Sequence, residues 1–530
     1  MLVASNFKAA KPPKLNAWLS ALGLTALFIS LRWNNYDVPL VRDEGEYAYA
    51  AQLLKHGLPP YQHAFLQKPP MVVYTYALAD ALAPHVFWFS RLLAALFVAL
   101  ATGLIGIIAR LEFGPGTSFP AMWLFTPMVL LPEVQQFTAN TEMFLLLPLM
   151  ATIAVYAVAR RHGCGLLPWL LAGFLAAVAV WYKYTAAGVL GTLFALWSLE
   201  EWRTGASLRG LLRRWGFGLL GACLASAAVL AFFIVKGGTR QLWECTVLFN
   251  RHYTTSDTFG FSSLWFVMKL LWADWWLLFL LPCVLVVSPV RRVWFWATLF
   301  LAAWVSAGAS IYGQYYVLVT PFWTLLTLMA LNKLAAWAAA KLAWPQLWLQ
   351  RGLTAAVVAV ICLPHLPWVT RTREQFAARK LMADNPFIES VAAAKRVAEL
   401  TSPRDYVFVA GSEPQILYYA RRFSPTRFVI TYPLMIPTSL AQGYQREAIQ
   451  ALQQHPPALI VLARSNYSWL AQDGSPTDFQ TYVNQLLASS YERVSGYVLN
   501  AESGRWEEPL PEEHLPNSTL VLFKRKGLRY

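Results

Sequence analysis

Between Val41 and Tyr76 the chain reads VRDEGEYAYAAQLLKHGLPPYQHAFLQKPPMVVYTY, with adjacent carboxylates at Asp43 and Glu44 and a lysine held before two prolines in Lys68-Pro69-Pro70. A positioned carboxylate can take the proton of an attacking hydroxyl, and a fixed ammonium can stabilise a departing phosphate. These residue types therefore suit transfer of a group from a phosphorylated donor. Ordinary structural roles compete with that reading. Asp43 and Glu46 have the spacing of a capping box, in which both acids satisfy free amides at a helix start. Lys68 could simply snorkel to a membrane surface.

Further along stand Glu142 after Thr138-Ala139-Asn140-Thr141, Lys183 after an apolar run, the pair Arg251-His252, and the turn Tyr312-Gly313-Gln314-Tyr315-Tyr316. Glu142 at a helix start also has a capping role open to it, and Lys183 a snorkelling one. Their significance depends on whether the fold gathers them at one place.

The elements that would position them are membrane helices. The 530 residues are 57% hydrophobic and only 13% charged, with 24 Trp, which leaves too little polar surface to cover a soluble globule. Eleven apolar spans are expected at roughly 15–32, 87–109, 118–133, 142–159, 165–182, 185–199, 215–235, 264–287, 293–309, 317–331 and 351–367. The first follows Lys8, Lys11 and Lys14 but lacks a small-residue cleavage site, so it reads as a retained helix and not a signal peptide. With that basic flank inside, alternation puts Arg110, Arg160/Arg161, Arg203/Arg209/Arg213/Arg214, Arg291/Arg292 and Lys333/Lys341/Arg351 on the cytoplasmic side. Residues 33–86, the loop 236–263 and everything after about 368 then lie outside. The candidate residues all fall at that outer interface, where ionisable groups at membrane depth tend to mark substrate paths.

The net charge of +15 sits largely in short loops between spans, so it does not call for a nucleic-acid partner. Five cysteines show no CxxC spacing, which signals neither a disulfide framework nor a thiolate metal site. Asp43 should open an amphipathic surface helix through Tyr47, Ala50, Ala51 and Leu54, ended by Gly57 and Pro59. After about residue 370 charged and turn residues return. Short β-rich runs, DYVFVAG near 405, RFVIT near 427, ALIVLA near 458 and TLVLFKRK near 519, alternate with helical stretches. The spacing predicts a soluble α/β domain over 371–530 with parallel crossovers, carried on a membrane domain over 1–370. The turn Gly411-Ser412-Glu413-Pro414 lacks the glycine spacing of a dinucleotide site.

Asp43-Glu44 with Tyr47, then Lys68-Pro69-Pro70, Glu142, Lys183 and Gly313-Gln314-Tyr315-Tyr316 resemble the pattern of the GT-C glycosyltransferases. The bacterial relatives of protein O-mannosyltransferases and of the aminoarabinose transferases that modify lipid A are the nearest in kind. The resemblance runs over the whole chain and implies an inverting transferase of the bacterial inner membrane. Its donor would be a polyprenyl-phosphate sugar and its acceptor a hydroxyl of a lipid, protein or glycan. It further implies Asp43 as general base supported by Glu44, and Lys68, Lys183 and Arg251 on the donor phosphate. Glu142, His252, Tyr315 and Tyr316 would contact substrate. Two positions depart from the pattern: Gln67 stands where aminoarabinose transferases carry an acid, and Gln314 where the turn often carries His. Both changes remove potential metal ligands, so a divalent ion is compatible with the chain but not required by it, and no other cofactor is expected. A transporter or lipid flippase is the alternative class. It should show inverted repeats and mid-span charges, whereas no repeat is evident here and the charges gather at one interface.

Overall fold

The computed structural model describes residues 14–131, 138–163, 165–253, 260–287, 290, 292–308, 312–372, 375, 386–499 and 504–527. Arg291 and the end of the expected 118–133 span lie outside these residues. Among the described residues, six helices are long and apolar enough to cross a membrane: Phe89–Phe113, Thr141–His162, Leu208–Lys236, Phe261–Val287, Thr320–Leu342 and Gln346–Val369. Lys14–Ser30, Ser118–Leu130, Leu166–Tyr182, Ala186–Arg203 and Val293–Ala307 are helical at the other five expected positions, but four are shorter than about 18 residues and Ala186–Arg203 ends in charged residues. Length and composition therefore single out six of the eleven expected spans among the described residues.

We label the first nine α-helices α1 (Lys14–Ser30), α2 (Arg42–Lys55), α3 (Met71–Leu82), α4 (Phe89–Phe113), α5 (Ser118–Leu130), α6 (Thr141–His162), α7 (Leu166–Tyr182), α8 (Ala186–Arg203) and α9 (Leu208–Lys236). The bundle is closed by small residues. A Cβ on Gly173 of α7 would fall 1.9 Å from the Gly218 carbonyl oxygen of α9, and one on Gly221 would fall 2.0 Å from that of Leu170. Helices in lipid have no water to expel from between them, so close backbone approach of this kind supplies the packing attraction that holds them together.

One end of the bundle is tied by charge. Arg160 of α6 meets Glu112 of α4 at 2.8 Å, and Arg292 meets Glu112 at 2.9 Å and Glu200 of α8 at 2.6 Å. Two of the residues assigned to the cytoplasmic side by charge alternation, Arg160 and Arg292, are therefore joined in a single cluster. The candidate site lies at the other end.

The C-terminal domain carries a five-stranded sheet: β1 (Val407–Ala410), β2 (Leu459–Ala463), β3 (Tyr491–Leu499), β4 (Gly504–Glu507) and β5 (Ser518–Arg525), in the order β1-β2-β5-β3-β4. Only β1 and β2 are parallel, with Val407 opposite Leu459; β5 runs antiparallel to both β2 and β3. The expected set of parallel crossovers is thus reduced to one, because β3 is followed by a β4 hairpin and not by a helix. RFVIT is not a strand. Its backbone is taken up locally and by the membrane domain: the Arg427 carbonyl accepts from the Phe65 N–H at 2.6 Å, and the Thr431 N–H donates to Ser412 Oγ at 2.9 Å. The Arg427 side chain is held between Glu244 and Glu447, each at 2.7 Å.

The two domains meet along α2. Gly45 allows this contact, since a Cβ there would stand 2.7 Å from Gln415 of the helix Pro414–Ala420. Arg42 donates to the carbonyls of Ser412 at 2.9 Å and Tyr467 at 2.7 Å, and Tyr49 Oη accepts from the Ser424 N–H at 3.0 Å. The C-terminal domain is therefore seated on the helix that carries the candidate acids.

Candidate active site

α2 begins two residues earlier than the capping-box reading requires. Its N-cap is Val41, whose N–H donates to Glu44 Oε2 at 3.2 Å, so Glu44 and not Glu46 supplies the reaching-back carboxylate. Glu44 is wholly buried and fully committed. Arg91, in the first turn of α4, grips it with Nε on Oε1 at 2.8 Å and Nη2 on Oε2, and the Ala139 N–H donates to Oε1 at 2.8 Å. Arg91 spends its remaining donors on the carbonyls of Tyr36, Val38 and Pro39. A buried ion pair of this kind is tolerable only when such extra hydrogen bonds offset the loss of water.

Asp43 is different. One residue along a helix turns a side chain by about 100°, and Asp43 faces a cavity of about 180 Å³ at the junction of the two domains. Half-buried there, its carboxylate makes no hydrogen bond or ion pair with the described residues. Burial holds its pKa above the usual aspartate range, an effect that the nearby Lys68 opposes and Glu142 reinforces. Glu46, three residues on and on the same face, is a second acid in this cavity. It is 3% exposed, and its Oε1 has no partner. Burial first, and Asp43 second, push its carboxyl well above the ordinary value.

The facing wall comes from Lys68 and the 3₁₀ turn Gly313–Leu318. The Lys68 carbonyl accepts from Tyr61 Oη at 2.8 Å and the neighbouring Gln67 carbonyl from Asn250 Nδ2 at 2.9 Å, which fixes the backbone ahead of Pro69 and Pro70. Lys68 Nζ donates to Tyr315 Oη at 3.4 Å. Burial alone would weaken the Lys68 ammonium, but the oxygens of Tyr315, Asp43 and Glu142 outweigh it and keep the group charged. On its far side the Tyr315 ring receives Lys183, whose Nζ lies 3.1 Å from the ring centroid and 2.5 Å from Glu142 Oε1. Glu142 and Lys183 thus form a buried pair behind Tyr315.

Of the residues singled out from sequence, Asp43, Lys68 and Tyr315 line the cavity together. Glu44, Glu142 and Lys183 stand behind them. Tyr316 points away, donating to the Gly308 carbonyl at 3.3 Å and packing on Trp304. Arg251 and His252 lie on the short helix Phe249–Tyr253 outside the lining, where His252 Nδ1 is 2.9 Å from the Leu248 carbonyl just before that helix, while their neighbour Tyr253 does face the cavity. Tyr312, at the head of the Gly313–Leu318 turn, also lines the cavity, whereas sequence reasoning missed Arg42, Tyr253 and the place of Glu46 in the site, as well as Tyr432 and Leu470 from the C-terminal domain. Among the described residues no group of three His, Cys, Asp or Glu is placed to hold a metal ion.

A larger cavity, about 330 Å³, lies against the opposite face of α2 beside Gln52, His56, His85, Tyr419 and Arg421. Its acid, Asp80, is already paired with Lys55 at 2.8 Å, so among the described residues the larger volume lacks a free carboxylate.

Comparison with known proteins agrees with this architecture. Residues 67–226 match the family described as dolichyl-phosphate-mannose-protein mannosyltransferase. ArnT from Cupriavidus metallidurans bound to undecaprenyl phosphate superposes with a TM-score of 0.60 at 15% identity, covering 97% of this chain and 98% of that one. The apo form of that protein gives the same TM-score and identity, over 96% of this chain and 98% of that one. The archaeal oligosaccharyltransferase AglB from Archaeoglobus fulgidus, in complex with an inhibitory peptide and a dolichol-phosphate, gives 0.53 at 12% identity, over 99% of this chain and 77% of that one. No curated protein sequence matches the chain. The resemblance to GT-C glycosyltransferases drawn from the motifs therefore agrees with the family match over residues 67–226, and the likeness in fold covers nearly the whole chain.

Removing Arg91 would leave Glu44 charged and unpaired in a dry site. Arg91→Leu is expected to destabilise the protein by about 3–5 kcal/mol, read as a drop in detergent melting temperature. A melting temperature equal to that of wild type would show that the pair does not hold α2.

Proposed function

We propose that the protein transfers a sugar from a polyprenyl phosphate to an acceptor hydroxyl at the outer face of a membrane, with inversion at the anomeric carbon. The observation that carries this reading is the division of labour between two adjacent acids: Glu44 is consumed by Arg91, while Asp43 is left uncommitted in a cavity that also contains Lys68. In a single displacement the acceptor O–H gives its proton to Asp43 as its oxygen bonds to the anomeric carbon. The bond from that carbon to the phosphate oxygen breaks, and its electron pair leaves with the phosphate. Lys68 stabilises the charge that appears there, while Lys183, turned toward Glu142, acts through the Tyr315 ring. The solved structures of like fold hold undecaprenyl phosphate in one case and a dolichol-phosphate in the other, which favours a lipid-linked donor here.

In the membrane, the six long spans and the five shorter helices would make eleven crossings, with the N-terminus cytoplasmic and the C-terminal domain outside. A bacterial inner membrane suits that arrangement. Because Gln67 and Gln314 supply amides where acid or imidazole ligands would be needed, the reaction requires no divalent cation in this reading.

Asp43→Asn keeps the shape of the side chain but cannot accept a proton. It is expected to lower transfer from a labelled polyprenyl-phosphate sugar by at least about 100-fold at unchanged melting temperature. In wild type the rate should rise with pH as Asp43 loses its proton, with the acid limb above the ordinary aspartate value of about 3.9. Undiminished transfer by the variant would remove Asp43 from the reaction and favour a transport role for the same cavity. Treating active wild type with a chelator should leave transfer intact; complete loss, restored by a divalent cation, would overturn the metal-free reading.

A further inference from the structure

The segment that carries Lys68 has no helix or strand of its own. Residues 61–70 form turns and bends, and Pro69 and Pro70 have no N–H to offer a neighbour. An ammonium on such a segment is placed only as well as the backbone beneath it is held.

The contacts that hold it lead to one residue of the C-terminal domain. The Phe65 N–H donates to the Arg427 carbonyl at 2.6 Å, and the Phe65 ring stacks on Phe428 with centroids 5.6 Å apart. Two residues further on, the Gln67 carbonyl accepts from Asn250 Nδ2 at 2.9 Å, and the same Nδ2 donates to the Thr246 carbonyl at 2.8 Å. Thr246 belongs to the π-helical turn Glu244–Leu248, a rare geometry that is frequent at functional sites. Glu244, which opens that turn, is paired with Arg427 Nη2 at 2.7 Å.

Arg427 therefore stands on both routes to Lys68: its carbonyl reaches Phe65 directly, and its side chain reaches Gln67 through Glu244 and Asn250. The guanidinium is itself firmly placed. It is almost wholly buried, lies 5.4, 5.1 and 5.5 Å from the ring centroids of Phe65, Phe428 and Tyr444, and is anchored to the helix Ala441–Gln454 by Glu447 at 2.7 Å. A planar, forked cation can stack on rings and pair with two carboxylates at once. An interdomain ion pair alone would account for the charges, but not for the amide that continues from the π turn to the Gln67 carbonyl.

We propose that Arg427 is a positioning residue for Lys68: through Glu244 and Asn250 it sets where the Gln67–Lys68 backbone stands, and so where the Lys68 ammonium meets a donor phosphate. This rests on the reading of Lys68 above and deepens it. Affinity for the lipid phosphate then depends on the C-terminal domain through Arg427 and Glu244, although neither residue lines the cavity.

The sign of one effect separates positioning from charge. Replacing Glu244 by glutamine removes a negative charge, which by Coulomb attraction alone favours an anionic ligand; positioning predicts the reverse. Glu244→Gln also leaves Arg427 paired with Glu447, so the variant keeps one half of the clamp. Bare undecaprenyl phosphate is titrated against the full chain in nanodiscs of zwitterionic lipid, with affinity referred to folded protein and Lys68→Ala as the reference for loss of the ammonium. Glu244→Gln and Asn250→Ala are each expected to weaken binding about tenfold. The double variant should bind no more weakly than Asn250→Ala, because the contact through which Glu244 acts is already gone. Affinity in Glu244→Gln equal to or tighter than wild type, whatever its melting temperature, overturns the positioning role, as do losses that add in the double variant. Lys68→Ala binding the lipid as tightly as wild type would instead refute the phosphate reading of Lys68, and the proposal with it.

Discussion

The burial of Glu44 against Arg91 is the constraint on which the site depends. Two unit charges taken out of water are destabilising unless their remaining donors and acceptors are filled, and here they are filled by the Val41 and Ala139 amides and by the carbonyls of Tyr36, Val38 and Pro39. That set ties together the strand-like stretch before α2, the start of α2, the start of α4 and the segment before α6. With Glu44 directed inward, the helix geometry leaves one direction for its neighbour: Asp43 turns into the cavity. Adjacent residues of the same chemical type thus acquire opposite roles, one as an anchor and one as a free base.

The site is also completed from a distance in sequence. Arg42 and Gly45 lock α2 against the C-terminal domain, which in turn contributes Tyr432, Ile436 and Gln472 to the cavity wall. A cavity walled in part by a second domain is less exposed to water, and lower exposure to water strengthens the interactions of a carboxylate and an ammonium with charge that develops during reaction. The C-terminal sheet accordingly does more than decorate the bundle. Its mixed strand order matters less than the helix Pro414–Ala420 and the loop around Tyr432, which are the parts that touch the membrane domain.

The sequence made Asp43, Lys68 and Tyr315 legible because their types and their adjacency to apolar spans are unusual. It also indicated helices at all eleven expected positions, since long apolar runs are strong signals, though not which of them have the length to cross alone. Glu46 was obscured by its spacing from Asp43, which fits a capping box as well as a shared helix face. Arg91 was hidden inside an apolar run, where nothing local reveals that its partner lies 47 positions earlier. Tyr315 and Tyr316 cannot be ranked without the 3₁₀ turn that sends them in opposite directions, and Tyr432 depends on a domain contact that no local pattern encodes. RFVIT misled because its β-branched and aromatic residues suit a strand, yet its backbone partners are Phe65 and Ser412.

The central claim is that the small cavity at Asp43, and not the larger one behind α2, receives the lipid phosphate. The most direct measurement is the structure of the protein with undecaprenyl phosphate bound, solved by cryo-electron microscopy in a lipid nanodisc. The account predicts phosphate oxygens within hydrogen-bond reach of Lys68 Nζ, with Asp43 facing them across the cavity. Phosphate found instead beside His56, His85 and Arg421, with the Asp43 cavity unoccupied, would contradict it.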